Sequence, residues 1–292
     1  MNCPLCDAKE FQAYLQPYHW RKTKKVFSVV ECKHCKHLYT KDAPSEGEIG
    51  PYYDSETYIS HTDKKSSLFD RVYGLVKRYM LSRKWNWIKR YVPRGTIADY
   101  GAGSGAFVDY LNKLGKDTIG FELAETGRKT AKELYDVELF SPEKLDTLND
   151  ESIAAFSMWH VLEHIYHPNH LIETMRSKLV TDGIIVIAVP NPESWDANHF
   201  SSHWAAWDVP IHVSHFKQTV LEHWMSKKGF DLIHKTGMPF DAFYVSMISN
   251  ENKVGTKNPL KSIVQGIKSN SLGRKQNNHS SMVYIFRKGS QS

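Results

Sequence analysis

All four cysteines fall within the first 35 residues, as the pairs CPLC (Cys3, Cys6) and CKHC (Cys32, Cys35). A two-residue gap lets both thiolates of a pair bind one ion while backbone N–H groups face the sulfurs. Two such pairs then supply a complete tetrahedron. Four thiolates leave no open coordination position, so the spacing predicts a structural Zn2+ rather than a catalytic one. Between the pairs, Phe11 to Leu15 and Val26 to Val30 read as short strands, which predicts a zinc ribbon over residues 1–42. Two disulfides are the competing reading, but the N-terminus, MNCPLCDAKE, carries no apolar signal segment that would send the chain to an oxidising compartment. A redox CxxC is weaker again, because no βαβ pattern surrounds either pair.

The second constellation begins at Thr96. TIADY reads as a short apolar strand, GAGSG follows at once, and Phe107, Val108, Leu111 and Leu114 then repeat at helical spacing. A strand, a glycine loop and a helix N-terminus form a unit that lets a ligand approach bare backbone. A second strand, TIGFE, ends in Glu122, 23 residues after Asp99, where a carboxylate can accept hydrogen bonds from two ribose hydroxyls. Ser104 and Gly105 depart from the spacing that cradles a pyrophosphate, which favours a ligand carrying an amino-acid moiety. A dinucleotide-binding Rossmann unit and a non-catalytic remnant are the competing readings.

Histidine suits proton abstraction near neutral pH. His160, His164 and His167 follow the apolar run IAAFSMW; His212 and His215 lie in PIHVSHF, after Trp195, Phe200, Trp204 and Trp207. Both groups follow the C-terminal ends of predicted parallel strands, where such sheets place their ligands. The plainer reading of each histidine is a hydrogen-bonded structural residue.

Over residues 94–250 the chain resembles class I S-adenosylmethionine-dependent methyltransferases. DYGAGSG resembles their first motif, Glu122 their ribose-binding acid, IAAFSMWHVLEHI their fourth strand and loop, and GIIVIAVPNP their fifth strand. The resemblance implies an α/β, Rossmann-like sheet of seven strands, the last antiparallel. It implies that Asp99, Tyr100, Gly101, Ala102 and Gly103 surround the methionine part of the cofactor and that Glu122 with Leu123 holds the ribose. Trp159 and His160 then line the pocket, and Ser141-Pro142-Glu143 stands where an adenine contact belongs. A zinc ribbon, a tyrosine-rich segment and this core together are similar to the C-methyltransferases of nucleotide-linked keto-sugars. YISHTDKKSS matches their tyrosine-rich stretch through Tyr58 and His61, and His164 matches their fourth-strand histidine. Ser214-His215-Phe216 matches their Glu-His-Phe stretch with serine in place of glutamate, making His215 the candidate general base. The further C-terminal domain of those enzymes is missing from the expected arrangement. A rival resemblance, to RNA 3′-end 2′-O-methyltransferases, reads His160, Glu163, His164 and His212 or His215 as ligands of a second divalent ion.

These groups need elements to position them. Residues 43–93 are expected to form a linker and lid, with Tyr58 and His61 near the methyl donor. Within that segment Leu68, Val72, Leu75, Val76 and Tyr79 mark one face of a helix, and Arg71, Lys77, Arg78, Arg83, Lys84, Lys89 and Arg90 the other. Residues 94–292 form the methyltransferase domain, ending in a strand over Met282 to Phe286. A polar stretch near 250–281 is expected as an exposed insertion. At 292 residues, 41% hydrophobic and 24% charged, the chain can bury a substantial core. No apolar run reaches the roughly 18 residues of a membrane span, so a cytoplasmic protein is expected. The net charge of +6 is uneven: residues 1–94 carry 18 Lys and Arg against 10 Asp and Glu, residues 95–250 carry 12 against 21, and residues 251–292 carry 8 against 1. Basic ends around an acidic middle predict an anionic acceptor, either a small phosphorylated molecule or RNA. The oligomeric state is left open.

Overall fold

The computed structural model describes residues 2–20, 23–53, 68–256 and 258–289, with residues 68–77 described as helical backbone. Tyr58 and His61 lie outside the described residues. The described residues divide into two compact units, one drawn from 1–53, 160–172 and 187–286, the other from 54–159, 173–186 and 287–292.

In the first unit, β1 (Phe11–Leu15), β2 (Val29–Cys32) and β3 (Leu38–Thr40) form an antiparallel meander, with Phe11 opposite Cys32 and Val30 opposite Tyr39. The second strand starts three residues later than its apolar run suggests, because Val26 makes only an isolated bridge to Tyr18. The meander does not stand alone. The two-residue strand β9 (Ser214–His215) pairs antiparallel with β3, setting Leu38 opposite His215 and Tyr39 opposite Ser214. Phe27, Val29 and Leu38 share one buried cluster with Phe200, Trp204, Trp207 and Val209. The N-terminal meander and the segment bearing the second histidine group are therefore parts of one packed unit.

The larger sheet has seven strands: β4 (Thr96–Tyr100), β5 (Thr118–Phe121), β6 (Leu139–Phe140), β7 (Ile153–Trp159), β8 (Leu179–Pro190), β10 (Phe230–Gly237) and β11 (Ser281–Lys288). Their order is β10-β11-β8-β7-β4-β5-β6, a mixed Rossmann-like sheet whose last strand is antiparallel. Every residue of β7 is buried, as is the run Gly183 to Pro190 of β8. Strands covered on both faces read as continuous apolar runs, which is why both were visible in the sequence. Gly120 on β5 has no room for a side chain, since a Cβ there would sit 2.3 Å from Leu139 Cδ2.

Helices α1 (Leu68–Ile88), α2 (Ala106–Lys113), α3 (Glu125–Tyr135), α4 (Pro168–Lys178), α5 (Trp195–Phe200), α6 (Gln218–Lys227) and α7 (Asp241–Val254) follow in chain order. The expected basic helix is present as α1, although Tyr79, assigned to its apolar face, is exposed. The polar stretch after Asn250, expected as an exposed insertion, holds α8 (Pro259–Gln276), capped by Asn258 and packed on α7. Its buried face is Ser262, Gln265, Gly266, Ser269, Asn270 and Gly273, while Leu260, Ile263, Val264 and Ile267 are exposed. Small and amide side chains face inward because buried partners satisfy them. Asn250 Nδ2 donates to Ser262 Oγ and Gln265 Oε1, and Ser269 Oγ donates to Asp196 Oδ1.

Candidate functional site

The two CxxC pairs fold into matching knuckles. In the first, Asp7 N donates to Cys3 O at 2.8 Å and Cys3 N to Ala8 O at 3.1 Å. In the second, Lys36 N donates to Cys32 O at 3.0 Å and Cys32 N to His37 O at 2.9 Å. Each turn closes through a residue with positive φ, Asp7 at 57° and Lys36 at 63°. Backbone N–H groups of Leu5 and Cys6 face the Cys3 sulfur, and that of His37 faces Cys35. Cys3 and Cys35 Sγ lie 3.5 Å apart and Cys6 and Cys32 Sγ 3.6 Å apart, far beyond an S–S bond. One atom from each of the four lies within 4.8 Å of the others. A tetrahedral thiolate site with bonds of about 2.3 Å has sulfur–sulfur edges of about 3.8 Å, so the set fits a single ion.

In the second unit, the glycine loop follows β4 as expected. Gly101, Gly103 and Gly105 all have positive φ, and a Cβ built on Gly103 would meet nothing within 4 Å, leaving free space above the backbone there. Glu122 ties the loop to the end of β5. Its Oε2 accepts from Gly103 N at 2.8 Å and its Oε1 from Ala124 N at 2.9 Å. Leu123 beside it is 70% exposed. Ser141-Pro142-Glu143 opens a 3₁₀ turn, where the Ser141 hydroxyl holds the Glu143 carboxyl below its usual value. Asp99 is buried, and that burial pushes its carboxyl up to about 6 against the charge of Lys84 and the hydrogen bond donated by Ser157 Oγ at 2.6 Å. Tyr100 closes β4 with its ring against Phe121. Trp159 ends β7 between Trp87 and Phe107, with Lys84 Nζ 4.6 Å from its ring centroid. Its Nε1 is buried with no partner among the described residues. Open space over Gly103, a buried carboxylate and an orphaned indole donor fit a ligand that carries both charge and hydrogen-bonding groups.

The histidines belong to the first unit. His160 has φ 59°, with Nδ1 3.3 Å from Glu163 Oε1 and Nε2 2.9 Å from Asp241 Oδ2. Burial works against its charge, but the two carboxylates outweigh burial and raise it to about 10. Both ring nitrogens are thus engaged by carboxylates. Glu163, His164 and His212 each offer a ligand atom within 4.8 Å of the others. His164 Nδ1 faces Ile211 O and His212 Nδ1 faces Ala206 O; burial pushes His164 down to about 4.

His215 is buried, with its ring edge-on to Trp207, and burial drives its pKa well below the ordinary value. Its Nε2 lies 3.1 Å from Thr40 Oγ1, which donates its only hydrogen to His212 O at 2.8 Å. Nε2 must therefore be the protonated nitrogen, leaving Nδ1 able to accept a proton. His37 of the ribbon meets Ser214 Oγ at 3.1 Å. His167, by contrast, sits just ahead of α4, where its carbonyl accepts from Leu171 N. Sequence reasoning missed Thr40, Asp241 and Ser157, and placed Lys84 only on the basic face of its helix. Of the three missed, only Ser157 left a trace, as the polar interruption in IAAFSMW.

The fold, a seven-stranded mixed sheet with its last strand antiparallel, is that of Rossmann-like methyltransferases. Residues 77–235, just over half of the chain, match the family described as a methyltransferase domain, and the chain belongs to that family. It is an S-adenosylmethionine-dependent methyltransferase. Among solved structures, a SAM-dependent methyltransferase of Archaeoglobus fulgidus is 18% identical at a TM-score of 0.50, covering 73% of this chain and 94% of that one. A protein named as a sarcosine dimethylglycine methyltransferase of Galdieria sulphuraria is 13% identical at a TM-score of 0.52, covering 75% of this chain and 88% of that one. At these identities the likeness is one of fold. No curated protein matches the chain in sequence. Among the described residues no helix is long and apolar enough to cross a membrane.

Proposed function

We infer that the chain transfers the methyl group of S-adenosylmethionine to a small anionic acceptor, such as a nucleotide-linked or phosphorylated sugar, with His215 as general base and a structural Zn2+ on Cys3, Cys6, Cys32 and Cys35. The carrying observation is the tautomer of His215: Thr40 holds Nε2–H, so Nδ1 carries the free lone pair. Burial keeps the ring neutral, the state a base requires before it takes a proton.

The cofactor supplies an electrophilic methyl on a sulfonium; the protein supplies position. Asp99 to Gly103 would hold the methionine part, Glu122 with Leu123 the ribose, and Trp159 the pocket wall. His160 would act through Glu163 and Asp241, to which it is bound. Lys84, over Trp159, suits a carboxylate. Zn2+ on the cysteines would keep β3 in place, and β3 carries Thr40 to His212 and His215. The exposed Arg78, Lys89 and Arg90 on and beyond α1 favour the RNA reading.

The test is transfer of labelled methyl from S-adenosylmethionine to separate nucleotide-sugar, metabolite and RNA pools. Label in a small-molecule fraction, lost in His215→Ala with cofactor affinity kept, is the expected result. Label in RNA alone would overturn the acceptor assignment.

A further inference from the structure

We propose that Glu163, His164 and His212 form a second metal centre, taking a divalent transition-metal ion of the Zn2+ type and independent of the four cysteines. Glu163 and His164 lie on the 3₁₀ turn Leu162–His164 that follows β7, and His212 lies on the loop before β9.

Each ring has one nitrogen already committed. His164 Nδ1 is 3.2 Å from Ile211 O, and His212 Nδ1 is 2.9 Å from Ala206 O. A carbonyl oxygen can only accept, so both Nδ1 atoms carry a hydrogen, and in the neutral ring, the form that binds a metal, Nε2 offers its lone pair. Glu163 is 1% exposed; its Oε1 takes His160, while its Oε2 is buried with no hydrogen-bond partner. The ligand atoms of the three residues lie within 4.8 Å of one another.

Three acceptors thus converge with no hydrogen among them. An orphaned buried carboxylate oxygen is destabilising, and a cation between the acceptors relieves it. Imidazoles oriented by hydrogen bonds from their far nitrogens are the usual outer arrangement of metal-bound histidine. Two imidazoles and one carboxylate favour Zn2+, Fe2+ or Mn2+ over Ca2+ or Mg2+. Three protein ligands leave a position open for an oxygen. If the methyl acceptor supplies that oxygen, the ion would make its hydroxyl more acidic. This last role rests on the methyl-transfer reading; the site itself does not.

The experiment measures bound metal in the full chain purified with Zn2+ and dialysed free of excess. Two Zn2+ per chain are expected, falling to one in Glu163→Gln and in His212→Ala. After Co2+ replacement the thiolate-to-cobalt absorption of the cysteine site persists in both variants. One Zn2+ per wild-type chain, or two that both variants retain, would overturn the proposal. The wild-type count decides even if a variant fails to fold. Methyl transfer assayed on the same preparations separates the two readings: turnover with one Zn2+ per chain would remove this site and leave the activity intact.

Discussion

Replacing Gly103 by alanine separates the cofactor site from the scaffold that carries it. Gly103 and Gly105 both have left-handed φ, +56° and +77°. A side chain in that region costs about 1–2 kcal/mol at either position. Their surroundings differ. A Cβ on Gly105 would sit 2.8 Å from Ala131 Cβ, in the packed layer between α3 and the sheet, whereas a Cβ on Gly103 meets nothing within 4 Å. Gly105→Ala should add an overpacking cost of about 1–3 kcal/mol to its backbone cost. Gly103→Ala should lose only about 1–2 kcal/mol, lowering Tm by about 2–8 °C. Its methyl group would project into the space assigned to S-adenosylmethionine and disturb the bond from Gly103 N to Glu122. Cofactor affinity should then fall at least about tenfold, equivalent to about 1.4 kcal/mol. Thermal melts of both variants, with calorimetric titration of each by S-adenosylmethionine, read the two effects separately. Gly103→Ala binding as tightly as wild type would refute the reasoning, because the open space would then not be where the cofactor lies.

Asp99 gives a pH prediction. Its folded-state pKa is raised to about 6, so the apo protein holds this proton more tightly than the unfolded chain does. The penalty for the buried charge is absent at low pH and grows as pH rises through about 6. Cofactor affinity, which needs the carboxylate beside a cationic amino group, should rise over the same interval, and Asp99→Asn should flatten that rise; an unchanged profile in the variant would count against the assignment. Thr40→Val removes the hydroxyl linking His212 O to His215 Nε2, a buried loss of about 1–3 kcal/mol. It should lower kcat by tenfold or more while leaving cofactor affinity near wild type; an unchanged kcat would end the positioning role of Thr40. Chelation of the cysteine-bound metal should lower Tm and kcat together, since the ribbon carries β3 and Thr40, and a chelator that changes neither would contradict a structural metal.

Local chemistry explains which parts of this molecule could be read in advance. The strand, glycine loop and helix from Thr96 to Lys113 are consecutive in sequence, and β7 and β8 are apolar from end to end, so both left direct signatures. The cysteine knuckles are equally local. What stayed hidden depends on distant partners. Two residues, Ser214 and His215, make too short a strand for any periodicity, and only their pairing with Leu38 and Tyr39 reveals it. Helix α8 left no apolar periodicity to read, because its inward face is built of Ser, Gln, Gly and Asn while its apolar residues face outward. The histidines were legible as candidates. Their tautomers were not, because these depend on the carbonyls of Ala206 and Ile211 and on the Thr40 hydroxyl.

The central claim is that the glycine loop and Glu122 bind S-adenosylmethionine. Calorimetric titration of the full chain with S-adenosylmethionine, beside the same titration of Glu122→Gln, tests it most directly. The account predicts saturable binding at one cofactor per chain, with affinity reduced about tenfold or more in the variant, as expected for losing a charged hydrogen-bond acceptor worth about 1.5–3 kcal/mol. Absence of binding by the wild-type chain, or equal binding by the variant, would contradict it.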